Sequence, residues 1–233
     1  MTAATDTTRP RPATLTTLRQ LYAIVLRMQL TPLRLLGIGA LGGIALLLGV
    51  LTGRDDDPVR ATADLAAGYG ITVAIPLCIL WLATSSVGDL VDDGLLVYLW
   101  LKPVARWQLP AASVLATSTV VLALIVVPLV VATLGTGTPG LALDVAVAGV
   151  LTTLAYSGLF VALGLWLRRA LWWGIAYLLV WENGIARASE GASRLSVGEL
   201  GGRPLVLSVV VLVVVTIGGW LAATYRYRHA EIA

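Results

Sequence analysis

Six apolar stretches, each long enough or nearly long enough to cross a bilayer, fill most of this 233-residue chain. Lipid rather than water therefore decides what it can fold into. An unpaired backbone amide in hydrocarbon costs several kcal/mol, so the spanning segments must be helices. Hydrophobic residues make up 58% and charged residues 12% of the chain, with a mean hydropathy of +0.89, a balance that excludes a water-soluble globule. The expected fold class is all-α: a polytopic membrane protein, six transmembrane helices preceded by an amphipathic interfacial helix. Six spans of ~20 residues consume ~120 residues and leave little room for a soluble domain.

The rare residue types exclude several chemistries. Cys78 is the single cysteine and lies in an apolar run, so no disulfide pair or cysteine cluster forms within one chain. His229 is the single histidine and sits in the C-terminal tail, which argues against a histidine metal site or base; no metal ligands are assigned. Lys102 is the single lysine. A phosphate-cradling loop needs lysine after a Gly-rich run, but Leu101 precedes Lys102 and Pro103 follows it. The formal charge of +3 fits membrane orientation better than nucleic-acid binding, and no nucleic-acid partner is expected. Residues 1–13 are polar, with two prolines, and read as a disordered cytoplasmic N-terminus without a cleavable apolar core.

Residues 14–31 form the amphipathic interfacial segment. Leu15, Leu18, Leu21, Tyr22, Val25, Leu26 and Met28 share one broad side of a helix, with Thr16, Arg19, Gln20 and Arg27 mostly on the other. Thr31-Pro32 ends it, because proline disfavours helical geometry in the residue before it. The membrane domain, 32–224, places spans at about 33–52, 65–86, 109–134, 145–167, 171–187 and 204–224. Gly39 and Gly43 in the first span have the small-xxx-small spacing of a close helix interface, a spacing that also arises by chance. The acidic run Asp55, Asp56, Asp57 falls in a polar loop, 53–64, without calcium-loop spacing. Thr136 to Gly140 is a tight turn, and Asp144 an interfacial residue at a span edge. An outer loop occupies 188–203 and a cytoplasmic tail 225–233.

With the N-terminus in the cytoplasm, eleven of the sixteen basic residues fall on the inner side; Arg54, Arg60, Arg187, Arg194 and Arg203 fall outside. The positive-inside bias thus puts both termini in the cytoplasm. Trp107, Trp166, Trp172, Trp173, Trp220, Tyr225 and Tyr227 cluster near the same inner boundary, as an interfacial aromatic belt requires.

The most informative loop is 87–108, VGDLVDDGLLVYLWLKPVARWQ. Asp89, Asp92 and Asp93 stand at i, i+3 and i+4, so a helix puts all three carboxylates on one face. Leu95 to Leu101 is apolar but too short to cross a bilayer. Two readings fit these residues: an ordinary interfacial loop with solvated acids, or a segment that buries itself in a partner. Span five carries Glu182, which at 1.5 Å per residue lies ~16 Å along a helix from Leu171. A carboxylate at that depth marks a functional site by default. It also fits as the cap of a broken helix or as the partner of Arg187. Tyr177 and Trp181, with Trp172 and Trp173, fit either an apolar path or helix packing and anchoring.

This arrangement resembles the permease subunits of type-2 ABC transporters, the exporter class, over nearly the whole chain. Their first cytoplasmic loop carries an acidic cluster, then Gly-Thr, a Leu-rich run and a Pro-Val-x-Arg ending. Asp89, Asp92, Asp93, Gly94, Leu95, Tyr98, Leu99, Pro103, Val104 and Arg106 stand in those places. Leu90 and Val91 replace charged residues often found there, and Leu95 replaces the usual threonine. Val180-Trp181-Glu182 and Leu195-Ser196 match a second family pattern around span five and the following outer loop.

The resemblance implies that 87–108 is a coupling loop. Asp89, Asp92, Asp93, Gly94, Tyr98, Leu99, Pro103 and Arg106 would dock into a separate ATP-hydrolysing subunit. It also implies a second permease chain, most simply an identical one. Trp181 and Glu182, which fall in the matched stretch, and Tyr177, as an aromatic of the same span, are the candidates for the substrate path or outer gate. The chain itself would be no enzyme and bind no cofactor, with ATP and Mg²⁺ held by the partner. The expected location is the plasma membrane of a prokaryote, in keeping with scarce lysine and abundant Ala, Val, Leu, Gly and Arg. The alternative is a self-contained secondary transporter or channel. An intramembrane enzyme lacks a histidine partner within the spans.

Overall fold

The computed structural model describes residues 14–84, 107–166 and 170–179, together with Gly218 and Leu221. Every regular element among them is helical. In chain order these are α1 (Thr14–Gln29), α2 (Pro32–Thr52), α3 (Pro58–Ala83), α4 (Gln108–Leu134), α5 (Pro139–Trp166) and α6 (Ala170–Ala176). Four helices, α2, α3, α4 and the Pro139–Gly164 stretch of α5, are long and apolar enough to cross a membrane, the architecture of a multi-pass membrane protein.

Of the six expected spans, 33–52 and 109–134 coincide with α2 and α4. The spans expected at 65–86 and 145–167 both begin earlier, at Pro58 and Pro139. Local chemistry explains the first shift. The Asp57 carboxylate accepts the Arg60 backbone N–H at 3.1 Å, and Pro58 sits in the first turn, where its missing donor is harmless. The expected polar loop 53–64 is therefore only a turn, and its acidic end is a helix cap. Asp144, expected at a span edge, lies inside α5 and is exposed. The span expected at 171–187 is described as far as Leu179, and that at 204–224 only at Gly218 and Leu221. Residues 1–13, nearly all of 87–108, 188–203 and the tail 225–233 lie outside the described residues.

α3 and α4 share an irregularity. Each contains a widened, π-type stretch, Ala66–Ala74 and Leu122–Val126, and each stretch ends two residues before a proline, Pro76 and Pro128. Proline donates no hydrogen bond to the carbonyl four residues back and its ring crowds that carbonyl; widening the preceding turns relieves the clash. The consequence in α4 is a tertiary contact. Pro128 leaves the Leu124 carbonyl without its regular donor, and Gly42 of α2 backs directly onto that carbonyl. A Cβ at Gly42 would overlap the Leu124 oxygen, so only glycine fits. One turn-pair further on, Gly49 packs against Ala132. These two contacts show that α2 and α4 run in the same direction.

Gly137 (φ 72°) makes the left-handed turn that reverses α4 into α5. Ser118 then faces Ser157, and Val126 faces Gly149, as an antiparallel pair requires. Fully buried Ile38, Ile75, Ile79, Ile125, Leu129, Tyr156 and Phe160 fill the core between α2, α3, α4 and α5. α3 is tied to α2 by the Tyr69 hydroxyl, which donates to the Leu41 carbonyl at 2.8 Å. The turns 53–57 and 135–138 lie at one end of the bundle. The start of α2, the end of α3 and the start of α4 lie at the other.

A helix, α1, forms over the segment expected to be an amphipathic interfacial helix, and half of its apolar side is packed against the bundle. Leu21, Val25 and Gln29 are buried against the first half of α4. Leu15, Ile24 and Met28 remain exposed, as do Arg19, Gln20 and Arg27.

Candidate functional site

The residues singled out in the sequence are only partly described. Asp89, Asp92, Asp93, Gly94, Tyr98, Leu99, Pro103 and Arg106 lie outside the described residues, as do Trp181 and Glu182. The flanks of the 87–108 loop are in view. Thr84, just before it, is buried and donates its hydroxyl to the Leu80 carbonyl at 2.6 Å. Trp107, at its far end, is half-buried and leads into α4.

Tyr177 is half-buried. Its ring meets Phe160 edge-on at 6.3 Å, and Phe160 stacks on Tyr156 at 5.5 Å, so Tyr177 belongs to an aromatic column between α5 and the segment that continues α6. Trp172 and Trp173 are 70% and 59% exposed, which turns them away from any path through the described bundle. Gly39 and Gly43 make no close contact, since a Cβ at either meets nothing within 4 Å. The close approach within the chain uses Gly42 and Gly49 on another face of the same helix. Any interface at Gly39 and Gly43 would thus have to be with something outside the described chain. Among the described residues no group of three or more His, Cys, Asp or Glu side chains is placed to hold a metal ion.

What sequence reasoning missed is a polar seam around the first half of α4. On the side facing α1, Ser113 and Thr117 stand one turn apart, both fully buried. Gln29 of α1, also fully buried, donates its side-chain amide to the Thr117 hydroxyl at 2.9 Å. Nearby, the Tyr22 hydroxyl donates to Thr119 Oγ1 at 3.1 Å. On the adjoining side, facing α5, Ser118 donates to Ser157 at 3.2 Å. Thr153 lies one turn beyond Ser157, with Thr152 beside it, and all three are fully buried.

The state of these hydroxyls sets the seam apart. Elsewhere in the bundle threonines are satisfied by their own helix: Thr72 donates to the Ala67 carbonyl, Thr84 to Leu80, Thr119 to Leu115 and Thr133 to Val130. In the seam, Ser113 Oγ, Thr152 Oγ1, Thr153 Oγ1 and the Gln29 carbonyl oxygen are buried with no hydrogen-bond partner. Each such group costs about 1–3 kcal/mol when left unmade. At 1.5 Å per residue, the pairing of Ser118 with Ser157 puts Ser113 and Thr153 about 13 Å apart along the bundle axis. That is close to half of a hydrocarbon core ~30 Å thick.

The seam carries little charge. No Asp, Glu, Lys, Arg or His occurs in α4, and the one such residue in α5, Asp144, is exposed. Arg19 and Arg27 of α1 are exposed, and the Arg34 guanidinium at the start of α2 donates to the Met28 carbonyl at 3.1 Å. The arrangement offers hydrogen bonds without an ion to pair with.

Compared with protein-family models and with curated proteins, the chain matches none.

Proposed function

We propose that this chain is the membrane permease subunit of an ATP-driven exporter of the type-2 ABC class, coupled to separate ATP-hydrolysing subunits and paired with a second permease chain. The observation that carries this is the 89–106 segment: three carboxylates at i, i+3 and i+4, then an apolar run too short to span, then Pro103 and Arg106. Its position supports the same reading. The described parts of α3 and α4 that flank it, ending at Thr84 and starting at Trp107, lie at the same end, beside the start of α2. A partner that grips this segment therefore pulls on α3 and α4 together, the two helices widened ahead of prolines.

In this scheme Asp89, Asp92 and Asp93 present charge to the ATPase, and Leu95 to Leu101 fills an apolar cleft in it. ATP and Mg²⁺ stay on the ATPase, and this chain performs no covalent chemistry. ATP binding biases a two-state bundle, because a ligand shifts an equilibrium only by its differential affinity for the two states. The basic-residue bias puts both termini and this loop in the cytoplasm of a prokaryotic cell, with α1 at the inner boundary of the plasma membrane and two further spans after α5. Trp181 and Glu182 are assigned to the substrate path or outer gate, and Tyr177, which meets Phe160 in the half of the bundle nearer the 87–108 loop, to the inner part of the path.

Asp92→Arg combined with Asp93→Arg tests the coupling role. Purified in mild detergent from the native host, the wild-type chain should bring an ATPase with it, and the double variant should insert normally but lose that ATPase by at least tenfold. Undiminished co-purification overturns the assignment.

The paired proline-linked irregularities of α3 and α4 favour a second reading, a self-contained secondary transporter. Ion-gradient-driven transport by the reconstituted chain alone would select it.

A further inference from the structure

The seam around α4 has chemistry of its own, independent of how the chain is energised. We propose that Gln29, Ser113, Thr117, Thr152 and Thr153 form a hydrated, membrane-embedded binding track for an uncharged hydrogen-bonding group, such as an amide or a hydroxyl. Three observations lead there.

First, the groups are buried and unspent. Ser113, Thr152, Thr153 and Gln29 are 0% exposed, yet three hydroxyls and one amide oxygen among them lack any partner. Lipid tails offer none, and the described residues leave these groups open to water or a polar ligand.

Second, the alternative was open to these residues and is not used. A helical serine or threonine can donate to the carbonyl four residues back, as Thr84 and Thr119 do. Ser113, Thr152 and Thr153 occupy regular helix and do not.

Third, one wall of the seam is a separate helix. Gln29 closes it from α1, and the side chain holds only one polar bond there, its amide donating to Thr117. α1 is a separate helix joined to α2 across Leu30 and Thr31, and its outer side is exposed. An amide or hydroxyl at the α1 side can take the Gln29 carbonyl and the Ser113 hydroxyl as partners, and one further along the axis the Thr152 and Thr153 hydroxyls. Asp, Glu, Lys, Arg and His are absent from α4, and the one such residue in α5, Asp144, is exposed, so an ion entering the track would find no countercharge on either helix and would face the full desolvation penalty.

Cysteine labelling of the full-length chain tests this. The background variant is Cys78→Ala, reconstituted in phosphatidylcholine–phosphatidylglycerol vesicles. A thiol reacts as thiolate, which needs water beside it. Ser113→Cys, Thr117→Cys and Thr153→Cys should each react with iodoacetamide, a small neutral amide, at least ~10-fold faster than Leu115→Cys, whose position is 46% exposed on the outside of the bundle. The three sites read one track, so a single variant that fails to fold leaves two in place. A negatively charged sulfonatoethyl methanethiosulfonate should show no such preference for the track over Leu115→Cys. Iodoacetamide rates at the folded track variants no faster than at Leu115→Cys show a dry seam and overturn the proposal. A preference by the charged reagent as large as that by iodoacetamide overturns the restriction to neutral ligands. Neither result bears on ATPase co-purification, which tests the exporter assignment separately.

Discussion

The two halves of α4 are both apolar enough to sit in a membrane, and they are packed by opposite means. The second half, Val127–Leu134, touches α2 through backbone: Gly42 on the Leu124 carbonyl just before it, Gly49 on Ala132. That contact is close and specific to residues without side-chain bulk. Leu129 and Thr133 are buried against its neighbours, and one side is open, with Val127, Val131 and Leu134 all more than half exposed. The first half, Gln108–Val121, is enclosed on nearly every side and yet carries Gln108, Ser113, Thr117 and Ser118 among its buried residues. One half has an exposed side and makes close backbone contacts. The other is buried and has unmade hydrogen bonds. Stability in lipid comes from tight packing and satisfied polar groups rather than from burial as such. On that basis the second half is built for holding the bundle together, and the first half for admitting something.

Substitutions can break or sharpen this contrast. The largest effect belongs to Gly42→Val. A Cβ there collides with backbone that has no room to move, and overpacking of this kind costs about 3 kcal/mol. Thermal unfolding in detergent should show a drop of many degrees, or loss of the monodisperse species. Gly43→Val, next in sequence but facing open space, should behave as wild type. Equal damage from the two variants would show that the α2–α4 contact is not where the geometry puts it.

Gln29→Leu should have an intermediate effect. It removes the bond to Thr117 but also the unpaired carbonyl, so the net loss is about 1 kcal/mol. Hydrogen exchange should speed up in α1 and leave α2 unchanged. No change in α1 protection would mean that Leu21 and Val25 alone dock the helix.

Thr153→Val should have the smallest effect and the opposite sign. It replaces an unpartnered hydroxyl with a methyl of the same shape, so the chain should hold or gain up to about 1 kcal/mol. Thr119→Val removes a hydroxyl that is bonded to both Leu115 and Tyr22 and should lose a comparable amount. If Thr153→Val destabilises as Thr119→Val does, the two kinds of threonine are not different in the way the seam requires.

How much of this was legible beforehand varies by residue. α2 and α4 were read to within a residue because each is a long apolar run with sharp polar ends. α3 and α5 start earlier than hydropathy suggests. Arg60 and Asp64 look like loop by polarity, but Asp57-Pro58 is a helix-start signal that outweighs them. The glycine pair was drawn from the right helix and assigned to a face with no neighbour in the described chain. Gly39 and Gly43 fit a spacing rule, while Gly42 owes its role to the Leu124 carbonyl and Gly49 to the close approach of Ala132 on a different helix. The seam left no mark in a hydropathy profile, because serine and threonine are common in membrane helices and most satisfy themselves locally.

The residue order alone fixed that this chain is helical and built to live in lipid, since backbone amides have no other partner there and the apolar runs have the length to cross. It also fixed the pattern of the 89–106 segment, because charge and proline placement are local. Which side of each helix meets which neighbour was decided only when the helices packed. Hydrophobic periodicity says that a face is greasy, and in a membrane every face is greasy. Steric fit and unmet hydrogen bonds, which exist only between elements, choose among them.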